Sequence, residues 1–308
     1  MEKTIVSFGE ILWDILPTGK VIGGAPFNFA YRVNSLGNRG LIMSRLGRDE
    51  LGYNAFDTVL ALGLETTYLQ WDDSFPTGTV QVSFDEHNNP DYLIVPQVAY
   101  DHIQATEKFL DIIPAVDCFC FGTLSQRSEQ TRQALEQLLE RTRNSLKLCD
   151  INLRKKCYDK KTIVFSLEQA DIVKMNENEA LELAGLLGIP DQSLKHICKK
   201  LESEFSLSYC TVTLAENGAY SLSDKGESVY VPGYRIEAID SLGTGDAFAA
   251  GFVHQILHGN SLAEACELGN KLATLVAAKR GATATVTLEE IRCFQVEGVG
   301  RNIHPQFV

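Results

Sequence analysis

The sequence lacks the short motifs that mark several large classes of enzyme. It contains no GxxxxGKS or GxxxxGKT segment, which excludes a P-loop nucleotide site, and no GxGxxG turn after a strand, which excludes the usual dinucleotide-binding fingerprint. The HExxH and GxSxG signatures of zinc peptidases and serine hydrolases are also absent. Any catalytic activity must therefore rest on a different arrangement of residues.

Long apolar runs are missing as well. Because no stretch of about 18 apolar residues occurs, the sequence predicts no membrane-spanning helix. The N-terminal segment MEKTIVSFGE lacks the apolar core and the small-residue cleavage site of a signal peptide. We therefore expect a cytoplasmic protein without a membrane partner.

The spacings of cysteine and histidine do not suggest a metal site. The 8 cysteines include no CxxC pair, and no pair of histidines completes a zinc pattern. Buried free thiols are therefore favoured over metal ligands. His254 and His258 lie one helical turn apart, but no third ligand is visible near them, so a packed or solvated helix face is favoured over a metal-binding pair.

Positive charge is in deficit. The chain has 28 lysine and arginine residues against 40 aspartates and glutamates, which gives a formal net charge of −12. A field of this sign repels nucleic acid and anionic membrane surfaces, so we expect neither as a partner. ATP is not excluded, because it needs only a local cluster of amides and cations. With 308 residues, 44% of them hydrophobic, the chain can bury a sizeable core.

Short apolar runs alternate with helical patterns over most of the chain. Runs such as TIVSFGE, VDCFCFG and SLKLCDIN end in polar or small residues, and helical segments separate them. This rhythm predicts an α/β fold with a doubly wound, mostly parallel central sheet flanked by helices. Ligands of such sheets bind at the carboxyl ends of the strands. The polar residues that close the predicted strands are therefore candidates for a site: Glu10, Asp14, Asp150, Asn152, Asn176 and Glu179.

Residues from about 70 to 100 interrupt this alternation. Their pattern is typical of two alternating strands joined by an HNNP turn, and with residues from about 11 to 22 it predicts a small β-sheet beside the main domain. A sheet next to a strand-end cleft suits a lid, which we favour over an ordinary edge hairpin. We otherwise expect a single domain over residues 1–308.

The strongest local feature is the segment IDSLGTGDAFAAGFVHQILHG. Gly243 and Gly245 permit the close approach of a ligand, and the helix that follows offers free amides and a partial positive charge to an anion such as a phosphoryl group. Asp246 stands at the mouth of this helix. Its carboxylate suits either a helix-capping role or a base that accepts a proton from a substrate hydroxyl, and local spacing does not choose between them.

A second glycine-rich segment, GGAPFNFAYRVNSLG, lies near the start of the chain. Gly23 and Gly24 allow a ligand close to the backbone, and the Asn28 amide can both donate hydrogen bonds to a sugar and accept them. Taken alone, the segment is more typical of a simple turn before a helix.

The two segments, in this order, resemble the two signatures of the ribokinase-like (PfkB) family of carbohydrate kinases, and the resemblance covers essentially the full chain. The N-terminal signature runs from Gly23 to Gly47, and the C-terminal one, DSLGTGDAFAAGFV, spans residues 240–253. The resemblance implies a ribokinase-like fold with a small β-sheet lid, a homodimer formed through that lid, and phosphoryl transfer from ATP to a sugar hydroxyl. It further implies Mg²⁺ and a monovalent cation such as K⁺.

The resemblance also assigns roles to the matching residues. It implies that Asp246 is the catalytic base and that the amides of Gly243, Thr244 and Gly245 form an anion hole. The implied sugar-binding residues are Asp14, Gly24, Asn28 and Arg154, with a contact to the phosphates as the alternative for Arg154. The implied nucleotide-binding residues are Asn176, Thr213, Ala215, Gly218, Gly245, Asn270 and Gly281. Glu179 is the implied contact of Mg²⁺, through water, and Asp240 that of the monovalent cation. For Asn176 and Glu179, a polar helix start is the structural alternative.

Two positions depart from the family pattern. Thr244 stands where the family usually has Ala or Ser, and Ala215 stands where it usually has Gly in the nucleotide turn. Neither change removes a needed functional group, although each adds bulk near the expected phosphates.

Several segments resemble the fructokinase branch of the family. These are GGAP followed by FNFA, the DINLR segment at residues 150–154, and GEILWDILP. We therefore expect D-fructose as the substrate, phosphorylated on its 6-hydroxyl, with 2-keto-3-deoxygluconate and ribose as alternatives. A phosphorylated sugar would need further cations; Lys20 and Arg32 are the candidates, but the sequence shows no convincing cluster of them. A catalytically silent sugar sensor with the same fold is the alternative from another functional class.

Overall fold

The computed structural model describes residues 1–17, 19–84, 90–154, 156–190, 193–294 and 300–308. The strands are β1 (Thr4–Phe8), β2 (Leu12–Leu16), β3 (Gly19–Gly23), β4 (Arg39–Gly47), β5 (Leu69–Asp72), β6 (Gly78–Phe84), β7 (Pro90–Ile94), β8 (Cys118–Gly122), β9 (Leu146–Asp150), β10 (Ile172–Asn176), β11 (Tyr209–Thr213), β12 (Ala219–Ser223), β13 (Ser228–Val231), β14 (Gly233–Tyr234) and β15 (Arg301–Asn302). The helices are α1 (Ala25–Ser35), α2 (Glu50–Ala61), α3 (Glu107–Ile112), α4 (Glu129–Leu139), α5 (Lys160–Gln169), α6 (Glu177–Leu187), α7 (Leu194–Phe205), α8 (Thr244–Leu257), α9 (Leu262–Ala277) and α10 (Leu288–Cys293).

A large central sheet organises these elements in the order β13-β12-β11-β10-β9-β8-β1-β4-β5. The strands from β11 to β5 pair in parallel, whereas β12 and β13 add an antiparallel edge. The predicted α/β fold with a mostly parallel sheet is therefore confirmed. The edge strands are antiparallel because only a short turn joins β11 to β12, and a parallel pair would need a long crossover connection.

Both faces of the sheet are buried, because side chains of successive strand residues point to opposite faces. In β8, Phe119 and Phe121 pack on one face with residues of α4, α6 and α7. Cys118 and Cys120 pack on the other face with residues of α1, α8 and α9. This arrangement explains why the strands read as nearly continuous apolar runs.

The free cysteines agree with the expectation of buried thiols, since all except the exposed Cys293 lie in the interior. The His254 ring lies 2.7 Å from the Asn38 amide and packs against the His258 ring. In the described ranges, no group of three or more His, Cys, Asp or Glu side chains is placed to hold a metal ion. None of the described helices is both long enough and apolar enough to cross a membrane.

A second, four-stranded sheet has the order β3-β2-β6-β7. β2 pairs antiparallel with β3 and parallel with β6, and β6 pairs antiparallel with β7. Of the expected range from 70 to 100, residues 70–72 belong instead to the central sheet, because β5 pairs with β4. The HNNP turn falls largely on residues 85–89, outside the described residues. The role of this small sheet as a lid stays a prediction.

Asp49 ties the start of α2 to the chain that enters the small sheet. One carboxylate oxygen accepts hydrogen bonds from the Gly52 amide at 2.7 Å and from the Thr77 hydroxyl at 2.7 Å. The other oxygen accepts from the Thr77 amide at 2.8 Å. Since Thr77 precedes β6 and is buried, this carboxylate fixes the base of the small sheet as well as the helix.

We expect Asp49→Ala to lower the free energy of unfolding by about 2 kcal/mol, because it removes a helix cap and leaves the buried amide of Thr77 without its acceptor. Urea denaturation followed by circular dichroism measures this change. The matched control is Ser261→Ala, which removes the exposed cap of α9 and costs about 1 kcal/mol or less. An Asp49→Ala effect no larger than that of the control would contradict the double role of Asp49.

Candidate active site

A cavity of about 510 Å³ lies between the small sheet and the carboxyl edge of the central sheet. Its apolar wall comes largely from the small sheet, through Leu12, Val80 and Ile94. The ionisable and amide side chains that line it are Glu10, Asp14, Asn28, Arg154 and Asp246. The four residues expected to bind a sugar, Asp14, Gly24, Asn28 and Arg154, therefore all face one cavity together with Asp246.

The backbone at the entrance to α1 approaches Glu10 and Asp14 closely. A Cβ atom on Gly24 would lie 2.4 Å from the Glu10 carbonyl oxygen, and Gly24 has a φ of 115°, so only glycine fits there. A Cβ atom on Gly23 would lie 3.0 Å from an Asp14 carboxylate oxygen, so a side chain at this position would displace that carboxylate slightly.

Glu10 is a buried carboxyl group that follows β1. The backbone amides of Glu10 itself and of Ala25, at the start of α1, favour its ionised form. Burial raises the pKa of Glu10 to about 7, and the charge of Asp246 contributes in the same direction. Arg154 opposes this shift and also opposes the rise that burial causes in the pKa of Asp14.

Asp246 lies in the first turn of α8 and joins that helix to α1. Its carboxylate accepts a hydrogen bond from the Asn28 side-chain amide at 2.9 Å, across 218 positions of sequence. No side chain caps α8, whose N-cap residue is Gly243. Burial raises the pKa of Asp246 to about 6; Asp150 adds to the shift, whereas Lys174, the Asn28 hydrogen bond and Arg154 oppose it. The group is therefore mostly ionised at neutral pH.

A second cavity, of about 240 Å³, lies on the other side of the α8 start. Its lining includes Thr213, Ala215, Gly218, Gly245 and Asn270, which are five of the seven residues expected to bind the nucleotide. Thr244 also lines this second cavity, whereas Gly243 and Asp246 line the first. The first turn of α8 thus separates the two cavities and contributes to both.

Ala215 adopts a conformation that suits the glycine usual at this position. Its φ is 50°, in the left-handed region, where a Cβ atom costs about 1 kcal/mol. Nearby, Gly218 is required, because a Cβ atom there would lie 2.0 Å from the Val231 carbonyl oxygen. The turn therefore keeps its glycine-type geometry despite the substitution, at a small energetic cost.

The Asn270 side chain is already engaged. Its amide nitrogen donates to the Val231 carbonyl at 3.1 Å and to the Pro232 carbonyl at 3.5 Å, so it holds the chain between β13 and β14 at the cavity wall. Only its amide oxygen is left for a ligand. A direct contact of Asn270 with the purine stays a prediction.

Asp240 and Gly281 form a brace beside the α8 start. One carboxylate oxygen of Asp240 accepts from the Gly281 amide at 2.8 Å and the other from the Leu242 amide at 3.0 Å. Gly281 lines neither cavity, whereas its neighbour Ala282 lines the first. With both of its carboxylate oxygens bound to amides, Asp240 fixes the loop, and its contact with a monovalent cation stays a prediction.

The two cations considered for a phosphorylated sugar lie elsewhere. Arg32 is fully buried and donates to the Ala282 carbonyl oxygen, and burial lowers its pKa to about 10. Lys20 lies 3.8 Å from a Glu50 carboxylate oxygen and over the Trp13 ring. Neither residue lines the first cavity, which agrees with the expectation that they form no cation cluster for a phosphorylated sugar. Because arginine residues are mostly exposed, the sequence does not indicate that Arg32 is buried, and only the packing of α1 shows it.

Asn176 and Glu179 form a capping box at the start of α6. Glu179 accepts from the Asn176 amide at 2.8 Å and from the Leu153 amide at 2.9 Å, while Asn176 accepts from the Glu179 amide. The pair therefore has the structural role that was the alternative to binding the nucleotide and Mg²⁺: it caps the start of α6. The remaining lone pairs of the Glu179 carboxylate still fit an outer contact with Mg²⁺ through water, since Mg²⁺ keeps several waters and prefers phosphate oxygens to an all-protein cage.

One charged residue of this region was missed from the sequence. Lys174 lies inside the apolar run DIVKMN and resembles an ordinary strand residue there. In the structure it is buried, and its Nζ lies 3.0 Å from each carboxylate oxygen of Asp150. No local signal in β10 identifies it, because its partner comes from the neighbouring strand β9.

Comparisons with known proteins agree with this architecture. Fructokinase-1 of Oryza sativa subsp. japonica is 26% identical over 316 residues, which cover 93% of this chain and 95% of that protein. The crystal structure of a fructokinase with bound ATP from Xylella fastidiosa has a TM-score of 0.85 and 22% identity, over 95% of this chain and 98% of that one. The 2-dehydro-3-deoxygluconokinase structure from Thermotoga maritima has a TM-score of 0.83 and 19% identity, over 94% and 98%.

The two structural likenesses confirm the predicted ribokinase-like fold, with its large central sheet and small second sheet. A family model described as pfkB family carbohydrate kinase matches residues 14–289. That match spans most of the chain and includes both glycine-rich segments. The protein therefore belongs to the pfkB family of carbohydrate kinases.

Proposed function

We propose that this carbohydrate kinase transfers the γ-phosphoryl group of ATP to the 6-hydroxyl of D-fructose, with Asp246 as the base. One observation carries the proposal: the first turn of α8 lies between two cavities, with Asp246 lining one and Thr244 and Gly245 lining the other. A group that reacts with molecules bound on both sides must lie at such a boundary.

The sugar belongs in the first cavity. Asp14 supplies hydrogen-bond acceptors, Arg154 supplies donors, and the close backbone at Gly24 leaves room for a hydroxyl. Within the described residues, the Asn28 side-chain oxygen is buried and has no hydrogen-bond partner, while the nitrogen of the same amide donates to Asp246. A sugar hydroxyl that donates to this oxygen would satisfy it and bring the sugar beside the Asp246 carboxylate.

Asp246 then takes the proton of the acceptor hydroxyl as the oxygen attacks the phosphorus atom. Because the pKa of Asp246 is raised only to about 6, the carboxylate is available at neutral pH and is a stronger base than an exposed aspartate. The amides of Gly243, Thr244 and Gly245 lie at the start of α8, which no side chain caps and where the helix dipole favours negative charge. The Thr244 amide donates to the Ser241 carbonyl at 3.4 Å, a long contact that a phosphoryl oxygen would replace. The three amides stabilise the phosphoryl group during its transfer.

ATP belongs in the second cavity, beside Thr213, Ala215, Gly218 and Asn270, with its phosphates directed toward Gly245. Mg²⁺, when bound, neutralises the phosphate charge, and Glu179 would hold it through water. Asp240 and the loop at Gly281 would hold K⁺. The small sheet would close over the sugar and exclude water, which otherwise competes as the acceptor. We propose that a homodimer forms through this sheet and that the protein acts in the cytoplasm.

Fructose is favoured over other sugars because the Oryza relative named fructokinase aligns over nearly the whole chain. One observation supports a second candidate. Arg154 places a guanidinium group in the sugar cavity, which suits a carboxylate, and a structural neighbour is named 2-dehydro-3-deoxygluconokinase. 2-Keto-3-deoxygluconate carries a carboxylate and fructose does not, so the contribution of Arg154 to kcat/KM distinguishes them.

We expect the highest kcat/KM for fructose in a coupled assay of ADP release with ATP, Mg²⁺ and a panel of fructose, 2-keto-3-deoxygluconate and ribose. Arg154→Gln should then affect fructose by only about tenfold, since an uncharged sugar forms neutral hydrogen bonds. If the wild type prefers the keto acid and Arg154→Gln abolishes that preference, fructose is the wrong substrate but the kinase activity stands. If calorimetry shows sugar binding but no sugar of the panel leads to ADP release, the proposed kinase activity is wrong and a silent sugar sensor is favoured.

We expect Asp246→Asn to lower kcat by about 10²- to 10⁴-fold, because asparagine cannot accept the hydroxyl proton. The KM for the sugar should change little, since the new amide still fits beside Asn28. Steady-state kinetics at saturating ATP provides the measurement. Asp57→Asn on the exposed face of α2 removes the same charge far from the cavities and should leave kcat unchanged. Turnover of Asp246→Asn close to that of the wild type would exclude the base role.

A further inference from the structure

A buried ion pair lies beneath the start of α8. Lys174 on β10 and Asp150 on β9 occupy neighbouring positions of the parallel strands, and the Lys174 Nζ lies 3.0 Å from both oxygens of the Asp150 carboxylate. The side chains are only 9% and 10% exposed. Removing two charges from water is costly and is not justified by stability alone, so a pair of this kind calls for another explanation.

The ammonium group of this pair lies close to the first turn of α8. A Cβ atom placed on Gly245 would lie 3.0 Å from the Lys174 Nζ, so the glycine at this position leaves space for the ammonium. Gly245 lines the second cavity and Lys174 does not.

The same charge acts on Asp246. The carboxylates of Asp150 and Glu10 disfavour its ionised form, whereas the neighbouring Cys120 thiol stays protonated and carries no charge. Lys174, Arg154 and Arg32 favour it. Burial alone would lower the pKa of Lys174, but the carboxylates of Asp150, Glu179 and Asp246 raise it above its usual value, so Lys174 stays protonated. Of the three cations, it is the one fixed by two short contacts to a neighbouring strand.

We propose that Lys174 is a positioning residue for phosphoryl transfer. Held by Asp150, its ammonium supplies a permanent positive charge beneath the Gly243–Gly245 turn, which keeps Asp246 ionised and favours an anionic phosphoryl group at that turn. This inference rests on the proposed function of the site. In this proposal, the Lys174 ammonium acts in addition to the backbone amides of the turn, which contact the ligand.

The direct test follows the ionisation of Asp246 without any substrate. Carboxyl ¹³C resonances of aspartate-labelled full-length protein are recorded against pH, and Asp246→Asn identifies the signal of Asp246. Lys174→Gln removes the charge but leaves an amide that can donate to Asp150. We expect it to raise the pKa of Asp246 by about one unit or more, since an opposite charge has been removed. An unchanged titration would overturn the proposal.

Lys147→Met is the matched control. Lys147 lies on β9, like Asp150 but near the opposite end of that strand, and it pairs with an aspartate, Asp171, at 3.4 Å. Its removal should leave the titration of Asp246 unchanged. If Lys147→Met shifts the pKa of Asp246 as much as Lys174→Gln does, the shift comes from the change in net charge, and the local role of Lys174 is refuted.

If Lys174→Gln does not fold, the same substitution is made in an Asp150→Asn background, where no buried carboxylate loses its partner. Asp246 should then have a higher pKa in the double variant than in Asp150→Asn alone, because only the double variant lacks the ammonium. Equal pKa values in the two variants would contradict the proposal.

Kinetics then separate this inference from the proposed function. Lys174→Gln should lower kcat by at least about tenfold, leave the KM for the sugar nearly unchanged, and move the acid limb of the pH–rate profile upward. If the wild type phosphorylates no sugar, the proposed function fails, while the titration still measures the effect of Lys174 on Asp246. If the wild type is active and Lys174→Gln keeps its kcat and pH profile, only the role of Lys174 is refuted.

Discussion

The start of α8 can lie between two cavities because three of its glycines leave space for close neighbours. A Cβ atom on Gly243 would lie 2.6 Å from the Ala282 side chain, and one on Gly245 would lie 3.0 Å from the Lys174 ammonium. Further along the helix, Gly251 lies against the backbone of Gly269 in α9. Close packing on these sides fixes the position and direction of the first turn. The donors of that turn therefore need little reorganisation to receive charge, which is the condition for effective electrostatic stabilisation.

The strongly acidic chain concentrates opposite charges at this one place. Consecutive strands of a parallel sheet bring their carboxyl ends to the same edge, so Glu10 after β1, Asp150 at the end of β9 and Lys174 in β10 converge there. Burial favours the neutral form of each carboxyl group, and the nearby cations favour the ionised form. The balance leaves Asp246 with a pKa of about 6, between an ordinary aspartate and a group too basic to be ionised at neutral pH. The second helix of the site, α1, is joined to this balance through the hydrogen bond of Asn28.

Features that depend on local sequence could be predicted. The apolar runs of buried strands, the glycines that enter α1 and α8, and the capping box at Asn176 all leave a local pattern, and the structure contains each of them. Residues of the two glycine-rich segments do meet around one cavity, as their resemblance to family signatures implied.

Features that depend on strand register or on long-range packing could not be predicted. Lys174 meets Asp150 only because β9 and β10 pair in one particular register. Arg32 is buried because α1 packs below the loop at Ala282, although an arginine is usually exposed. The assignment of residues 70–72 to the central sheet likewise depends on the pairing of β5 with β4, which the hairpin pattern of the following residues obscures.

We propose that the sugar and the nucleotide meet at the first turn of α8. A crystal structure of the protein with fructose and a non-hydrolysable ATP analogue would show this meeting point. We expect the Asp246 carboxylate to lie about 3 Å from the acceptor hydroxyl and the terminal phosphate to lie over the amides of Gly243–Gly245. A ternary complex in which another carboxyl group, such as that of Asp14, contacts the acceptor hydroxyl while Asp246 stays remote from it would refute the proposed role of Asp246.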